Sequence, residues 1–139
     1  MMKYAGDVTS EKAWRALQQD PAAVLVDVRT RAEWIFVGTP DLSAAGKEVV
    51  QIEWQSFPGM AVNEEFVAAV ESRGATPESK LYFICRSGIR SRDAAIAMTA
   101  AGYAQCCNVA DGFEGDLDGN KHRGATGGWK AAGLPWSQS

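Results

Sequence analysis

The chain has 139 residues, 46% apolar and 22% charged, enough for a single domain spanning 1–139 with its own core and too apolar for disorder or a collagen-like helix. Its 14 Lys plus Arg against 17 Asp plus Glu leave a net charge of −3 without any block of like charge, so neither nucleic acid nor an anionic membrane surface is an expected partner. Apolar runs such as Ala22–Val26 and Leu81–Cys85 stay far below the roughly 18–20 residues that cross a bilayer. The start, Met1 to Asp7, lacks the apolar segment of a secretory signal, which makes the cytoplasm the expected location. Three cysteines in such a chain point to reduced thiols rather than a disulfide framework. With His122 as its one histidine and no metal-type cysteine spacing, the chain offers no set of ligands for a closed zinc site and no histidine-bearing triad. No metal or organic cofactor is expected.

Thr9 or Ser10 caps a first helix with Ala13, Trp14 and Leu17 on its apolar face, ending before Asp20-Pro21. Val24 to Val28 reads as a buried strand. Thr30 and Glu33 form a capping-box pattern that opens a short helix through Trp34, stopped by Gly38 and Pro40. Trp34 reads as a core residue. Asp41 to Lys47 is expected to be loop, Glu48 to Ile52 a second strand, and Asn63 the start of a helix carrying Phe66, Val67 and Val70 and closed by Gly74.

Lys80 to Ile84 reads as a strand, Cys85 to Arg90 as loop, and Ser91 as the cap of an alanine-rich helix ending at Gly102. Cys106 to Ala110 is the last strand, its two cysteines pointing to opposite faces as inert buried thiols. Strands alternating with helices, most without a polar face, predict an α/β fold: a parallel sheet of about five strands with helices on both faces. The glycine-rich stretch from Gly112 to Gly128 is a long loop, and Trp129 to Trp136 a terminal turn that returns aromatic rings to the domain. Asp116 to Asn120 opens like a calcium loop, but Lys121 and Gly127 replace the glycine and glutamate that such a loop needs, so it reads as solvated loop. Lys121, His122 and Arg123 would add positive charge if this loop covered Cys85.

The stretch Lys80 to Arg92 is strand, tight loop, helix. Ligands bind at the carboxyl ends of parallel strands, and the following helix start offers free N–H groups and the positive end of its dipole. Cys85 lies at that junction, where the dipole and the adjacent Arg86, Arg90 and Arg92 favour a thiolate without help from histidine. Those cations are disfavoured at a helix start unless an anion joins them. Gly88 permits a curl whose N–H groups face inward as an anion nest.

At these residues the chain resembles the rhodanese family. The resemblance rests on Val26-Asp27-Val28-Arg29 with Glu33-Trp34, on Cys85-Arg86-Ser87-Gly88-Ile89-Arg90-Ser91, on Gly102-Tyr103, and on Gly127-Gly128-Trp129 with Ala132-Gly133-Leu134-Pro135. It implies that Cys85 takes a sulfane sulfur from a small anionic donor such as thiosulfate, becomes a persulfide, and passes the outer sulfur to a thiol or protein acceptor. Arg86, Ser87, Gly88, Ile89 and Arg90 would form the persulfide loop, with Arg86 and Arg90 binding the donor, and Asp27, Arg29 and Ser91 would support it. A second reading is a persulfide carrier, sensor or docking module without efficient turnover. Cysteine-based phosphatases and arsenate reductases, which the site also resembles, place one residue more between Cys and Arg than the four found here, so this loop suits one sulfur better than a tetrahedral oxyanion. After Trp34 the chain departs from the family's usual turn, with Gly38-Thr39-Pro40-Asp41 in its place.

Overall fold

The computed structural model describes residues 3–56 and 59–138, so Met1 and Met2 of the start lie outside the described residues. The elements are β1 (Gly6–Val8), α1 (Ser10–Gln19), β2 (Ala23–Asp27), α2 (Arg31–Val37), β3 (Thr39–Pro40), a 3-10 turn (Ser43–Ala45), β4 (Val50–Gln51) and β5 (Gln55–Ser56). They continue with β6 (Ala61–Val62), α3 (Phe66–Ser72), β7 (Lys80–Ile84), α4 (Ile89–Ala100), β8 (Cys106–Val109), α5 (Gly128–Ala131) and β9 (Trp136–Ser137). β1, β8, β7, β2 and β4 form one parallel sheet of five strands in that order. Among the described residues no helix is long and apolar enough to cross a membrane.

The alternation of side chains along each strand divides the core into two layers. Val26, Val28, Leu81, Phe83, Cys85 and Cys106 meet α3 and α4 through Phe66, Val70, Ala94, Ala95 and Met98. Ala23, Leu25, Ile84 and Val109 meet Ala13 and Leu17 of α1 and the fully buried Phe113 and Trp129. Helices therefore cover both faces, as a sheet of unbroken apolar strands requires. The terminal turn closes the second layer: Trp129 packs edge-on against Trp14 at 5.8 Å, and its indole N–H donates to the Pro135 carbonyl.

Local caps form where the residue types call for them. The Thr9 hydroxyl accepts from the Lys12 N–H, and Thr30 and Glu33 close a full capping box at the start of α2. Four expectations are corrected. Ser91 is not a cap, because Gly88 turns the chain at φ +99° and α4 begins at Ile89, which puts Arg90 and Ser91 in the first helical turn. Trp34 belongs to neither core layer. It is half-buried and borders a cavity with Arg31, Ile35, Thr39, Gln51 and Ser137, because α2 contributes no fully buried residue. Cys107 is half-buried rather than buried. Finally, α3 begins at Phe66 with Glu65 as its cap rather than at Asn63, whose side chain accepts from the Glu65 N–H in the preceding turn. One further strand, β1, carries no apolar pattern to announce it and exists through its pairing with β8, where Gly6 faces Cys107 and Val8 faces Val109.

Candidate active site

Cys85 follows the last residue of β7 at the carboxyl end of the sheet and is 1% exposed. Its Sγ accepts from the Gly88 N–H at 3.2 Å and from the Ser91 N–H at 3.4 Å, and it lies 3.2 Å from the Ser91 Oγ. The positive φ of Gly88 makes this curl possible. A side chain there would also collide with the Ala110 carbonyl, and one at Gly112 would collide with the Arg86 carbonyl. The chain after β8 is therefore pressed against the back of the loop: the Phe113 N–H donates to the Cys85 carbonyl, and the Glu114 and Gly115 N–H groups donate to the Arg86 carbonyl. Among the described residues the N–H groups of Arg86, Ser87 and Ile89 have no hydrogen-bond partner. The Ile89 side chain is 62% exposed.

Beneath the loop lies a polar chain that sequence reasoning missed. Asn108, on β8 two residues after the buried Cys106, is itself 3% exposed. Its Nδ2 donates to the Gly88 carbonyl at 3.1 Å and to Asp7 Oδ1 at 3.1 Å, and its Oδ1 accepts from the Ser91 hydroxyl at 2.6 Å. Both Nδ2 partners are acceptors, which fixes the amide's orientation. The single hydroxyl proton of Ser91 is thereby directed to Asn108, so Ser91 presents a lone pair to the sulfur. A Cys85 thiol donates to that lone pair, whereas a thiolate is held by the two N–H groups. Asn108 thus positions both donors from behind. The available signal was a lone polar side chain in an otherwise apolar strand, a group that must find buried partners.

Asp27 and Arg29, both fully buried, pair at 2.7 Å just below the site. The Arg29 guanidinium also donates to the Gly38 carbonyl and stacks 4.3 Å over Phe113. This ties the end of β2 to the turn after α2 and to the chain behind the Cys85 loop.

The loop arginines differ. Both terminal nitrogens of Arg90 donate to the two carboxylate oxygens of Glu33, at 2.6 and 3.0 Å. Burial works against the charge of each partner, and the paired hydrogen bonds overcome it, holding Glu33 below the usual carboxylate range and Arg90 above its ordinary value. The Arg86 side chain is exposed and has no partner among the described residues. Arg86 and Arg90, with Thr30, Ala32, Glu33 and Met60, wall a cavity of about 330 Å³. The distal part of the long loop is not part of that wall. Arg123 donates to the Gly115 carbonyl, and Asp118 accepts from the N–H groups of Asn120 and His122, folding the loop on itself. Cys106 is buried on the α4 side, and desolvation pushes its thiol up to about 11. Cys107 is also raised, chiefly by burial.

Residues 5–139 match the family described as the STR4 middle domain. A rice protein (Oryza sativa subsp. indica) named Thylakoid rhodanese-like, chloroplastic, is 29% identical over 97% of this chain, which spans 26% of that longer protein. This is a rhodanese-like domain of the STR4 middle domain family. Rv0390 from M. tuberculosis, a crystal structure, matches this rhodanese-like domain with a TM-score of 0.90 and 50% identity over 99% of this chain and 100% of that one. The protein RC0915 of Rickettsia conorii is 39% identical, with coverage of 94% of this chain and 95% of the relative. The fold is shared with the polysulfide-sulfur transferase of Wolinella succinogenes, at a TM-score of 0.64 and 20% identity over 96% of this chain and 78% of that one. Membership supports a sulfurtransferase-type chemistry at the level of the family.

Proposed function

We propose that this rhodanese-like domain is a sulfurtransferase that carries sulfane sulfur as a persulfide on Cys85. The observation that supports it most is the pair of inward N–H groups, from Gly88 and Ser91, on a cysteine at the end of a parallel strand. The Cys85 thiolate attacks the outer sulfur of the donor. The donor's S–S bond breaks, and its electron pair leaves with sulfite when the donor is thiosulfate. The persulfide anion that results gains donors from the N–H groups of Arg86, Ser87 and Ile89, which are fixed before the reaction and need no proton transfer. A thiophilic acceptor, such as a thiolate of a small molecule or protein, then attacks the outer sulfur and regenerates the Cys85 thiolate, so transfer proceeds in two covalent steps.

The shortness of the loop favours this over phosphatase chemistry. With Arg90 committed to Glu33, Arg86 is the one loop arginine left unpaired among the described residues to meet a bound phosphate. The test is Cys85→Ser, which is isosteric enough to fold. It should abolish sulfur transfer from thiosulfate or an organic thiosulfonate to cyanide, and turnover that survives the exchange would refute the assignment. Stoichiometric loading of Cys85 with no discharge to any thiol acceptor would instead favour a carrier.

A further inference from the structure

The Arg90–Glu33 pair decides more than loop geometry. A cavity bordered by two arginines of a sulfur-transfer loop would suit a dianion, but Glu33 cancels one of them. Its carboxylate faces Arg90 through two hydrogen bonds, and the two side chains are only 15% and 20% exposed, so solvent does little to weaken the pair. Glu33 is fixed from its other side by the capping box, where it accepts from the Thr30 N–H and hydroxyl. The carboxylate therefore cannot swing away to release Arg90 without also uncapping α2. Among the described residues the wall then carries one uncompensated cation, Arg86, and the remaining lining comes from Met60, Ala32 and Thr30. Met60 is 37% exposed, which leaves apolar surface at the rim.

We infer that Glu33 is a specificity-determining residue that tunes this cavity to sulfur donors with one negative charge and an apolar body, and against dianions such as thiosulfate. This rests on the sulfur-transfer reading above. A dianion entering the cavity would meet one free positive charge beside a neutralised Arg90–Glu33 pair, so only one of its two charges is matched. A monoanion is matched by Arg86, and its apolar portion covers Met60 and Ala32. The chemistry is the same for both classes. With an organic thiosulfonate, the Cys85 thiolate attacks the terminal sulfur, the S–S bond breaks, and the sulfinate leaves with the electron pair. One negative charge remains on the persulfide and one on the leaving group.

Thiosulfate and benzenethiosulfonate form the matched pair that tests this, since both deliver one sulfane sulfur and they differ in charge and apolar body. The wild-type protein should use benzenethiosulfonate with the higher kcat/KM. Glu33→Gln keeps the capping box, which accepts Gln as well as Glu, but frees Arg90. It should raise kcat/KM for thiosulfate by about tenfold or more while moving the benzenethiosulfonate value by less, on the order of threefold, because close charges exert effects of this size at a partly buried site. Met60→Arg, on the exposed hairpin, adds a second free cation without touching Glu33 and should shift the ratio the same way. This second variant keeps the test open if Glu33→Gln destabilises the fold. Thiosulfate used as well as benzenethiosulfonate by the wild type, with a ratio unmoved in both variants, would overturn this inference while leaving sulfur transfer intact. Sulfur loading from neither donor would overturn both.

Discussion

Replacing Asn108 by leucine keeps the branched shape of a buried β8 side chain and removes its three hydrogen bonds, to Ser91, Gly88 and Asp7. The three partners do not suffer equally. Asp7 keeps a bond from the Tyr4 hydroxyl at 2.7 Å, and the Ser91 hydroxyl can turn to Cys85. The Gly88 carbonyl is buried and has no other partner among the described residues. One orphaned buried carbonyl costs about 1–3 kcal/mol, and the lost bonds add about 1 kcal/mol, so a destabilisation of roughly 2–4 kcal/mol is expected in urea or guanidinium unfolding. Function should fall further than stability alone explains, because the Gly88 turn that aims an N–H at the sulfur loses its tether. Direct loss of one such donor slows a reaction by about 10²–10³, and a loosened one should cost roughly tenfold to a hundredfold in persulfide formation under conditions where the variant is fully folded. Asn108→Asp separates positioning from packing. Its carboxylate opposes both the Gly88 carbonyl and Asp7 when ionised, and can donate again when protonated, so its activity relative to wild type should recover as pH falls toward about 5. A leucine variant within about 0.5 kcal/mol of wild type that loads sulfur at the normal rate would refute the role given to Asn108.

Other consequences follow from the same geometry. Asp27→Asn leaves the Arg29 guanidinium buried without its counter-charge, so a loss of about 3–5 kcal/mol is expected in denaturant unfolding, and a change below 1 kcal/mol would show that the pair does not anchor the loops. The Glu33 carboxyl is held below its ordinary value of 4.5. Its contribution to stability is complete above that value and is lost as pH falls through the lower folded value, so wild type should lose stability in acid more steeply than Glu33→Gln. Equal slopes would contradict the pairing. With its thiol pushed up to about 11 by burial, Cys106 should resist iodoacetamide at pH 8 until the protein unfolds, and rapid labelling of the native protein would show that the strand opens locally.

The parts of this domain that are legible in sequence are those whose signal is local. Thr9, and Thr30 with Glu33, satisfy the first N–H groups of the helix that directly follows them, and the apolar runs of β2 and β7 announce a doubly covered sheet. The Cys85 loop is legible because its chemistry needs fixed residue types within a few positions. What escaped depends on partners far apart in the chain. Glu33 reads as a cap, and its bond to Arg90 spans 57 positions. Asn108 is separated by 101 positions from Asp7, on a strand too short and too polar to declare itself. Ser91 departs from its expected place for a related reason: serine is a common cap, but the turn at Gly88 starts α4 earlier and turns the Ser91 hydroxyl inward to the sulfur.

One cysteine, held by main-chain N–H groups at the end of β7, is proposed to accept and return a single sulfur atom. Peptide-resolved mass spectrometry after brief incubation with a sulfane-sulfur donor tests it most directly. The expected result is one added sulfur on the peptide carrying Cys85, none on the peptide carrying Cys106 and Cys107, and loss of the added atom when a thiol acceptor follows. Added sulfur confined to Cys106 or Cys107, or an unmodified Cys85 in protein that nevertheless turns over, would contradict it.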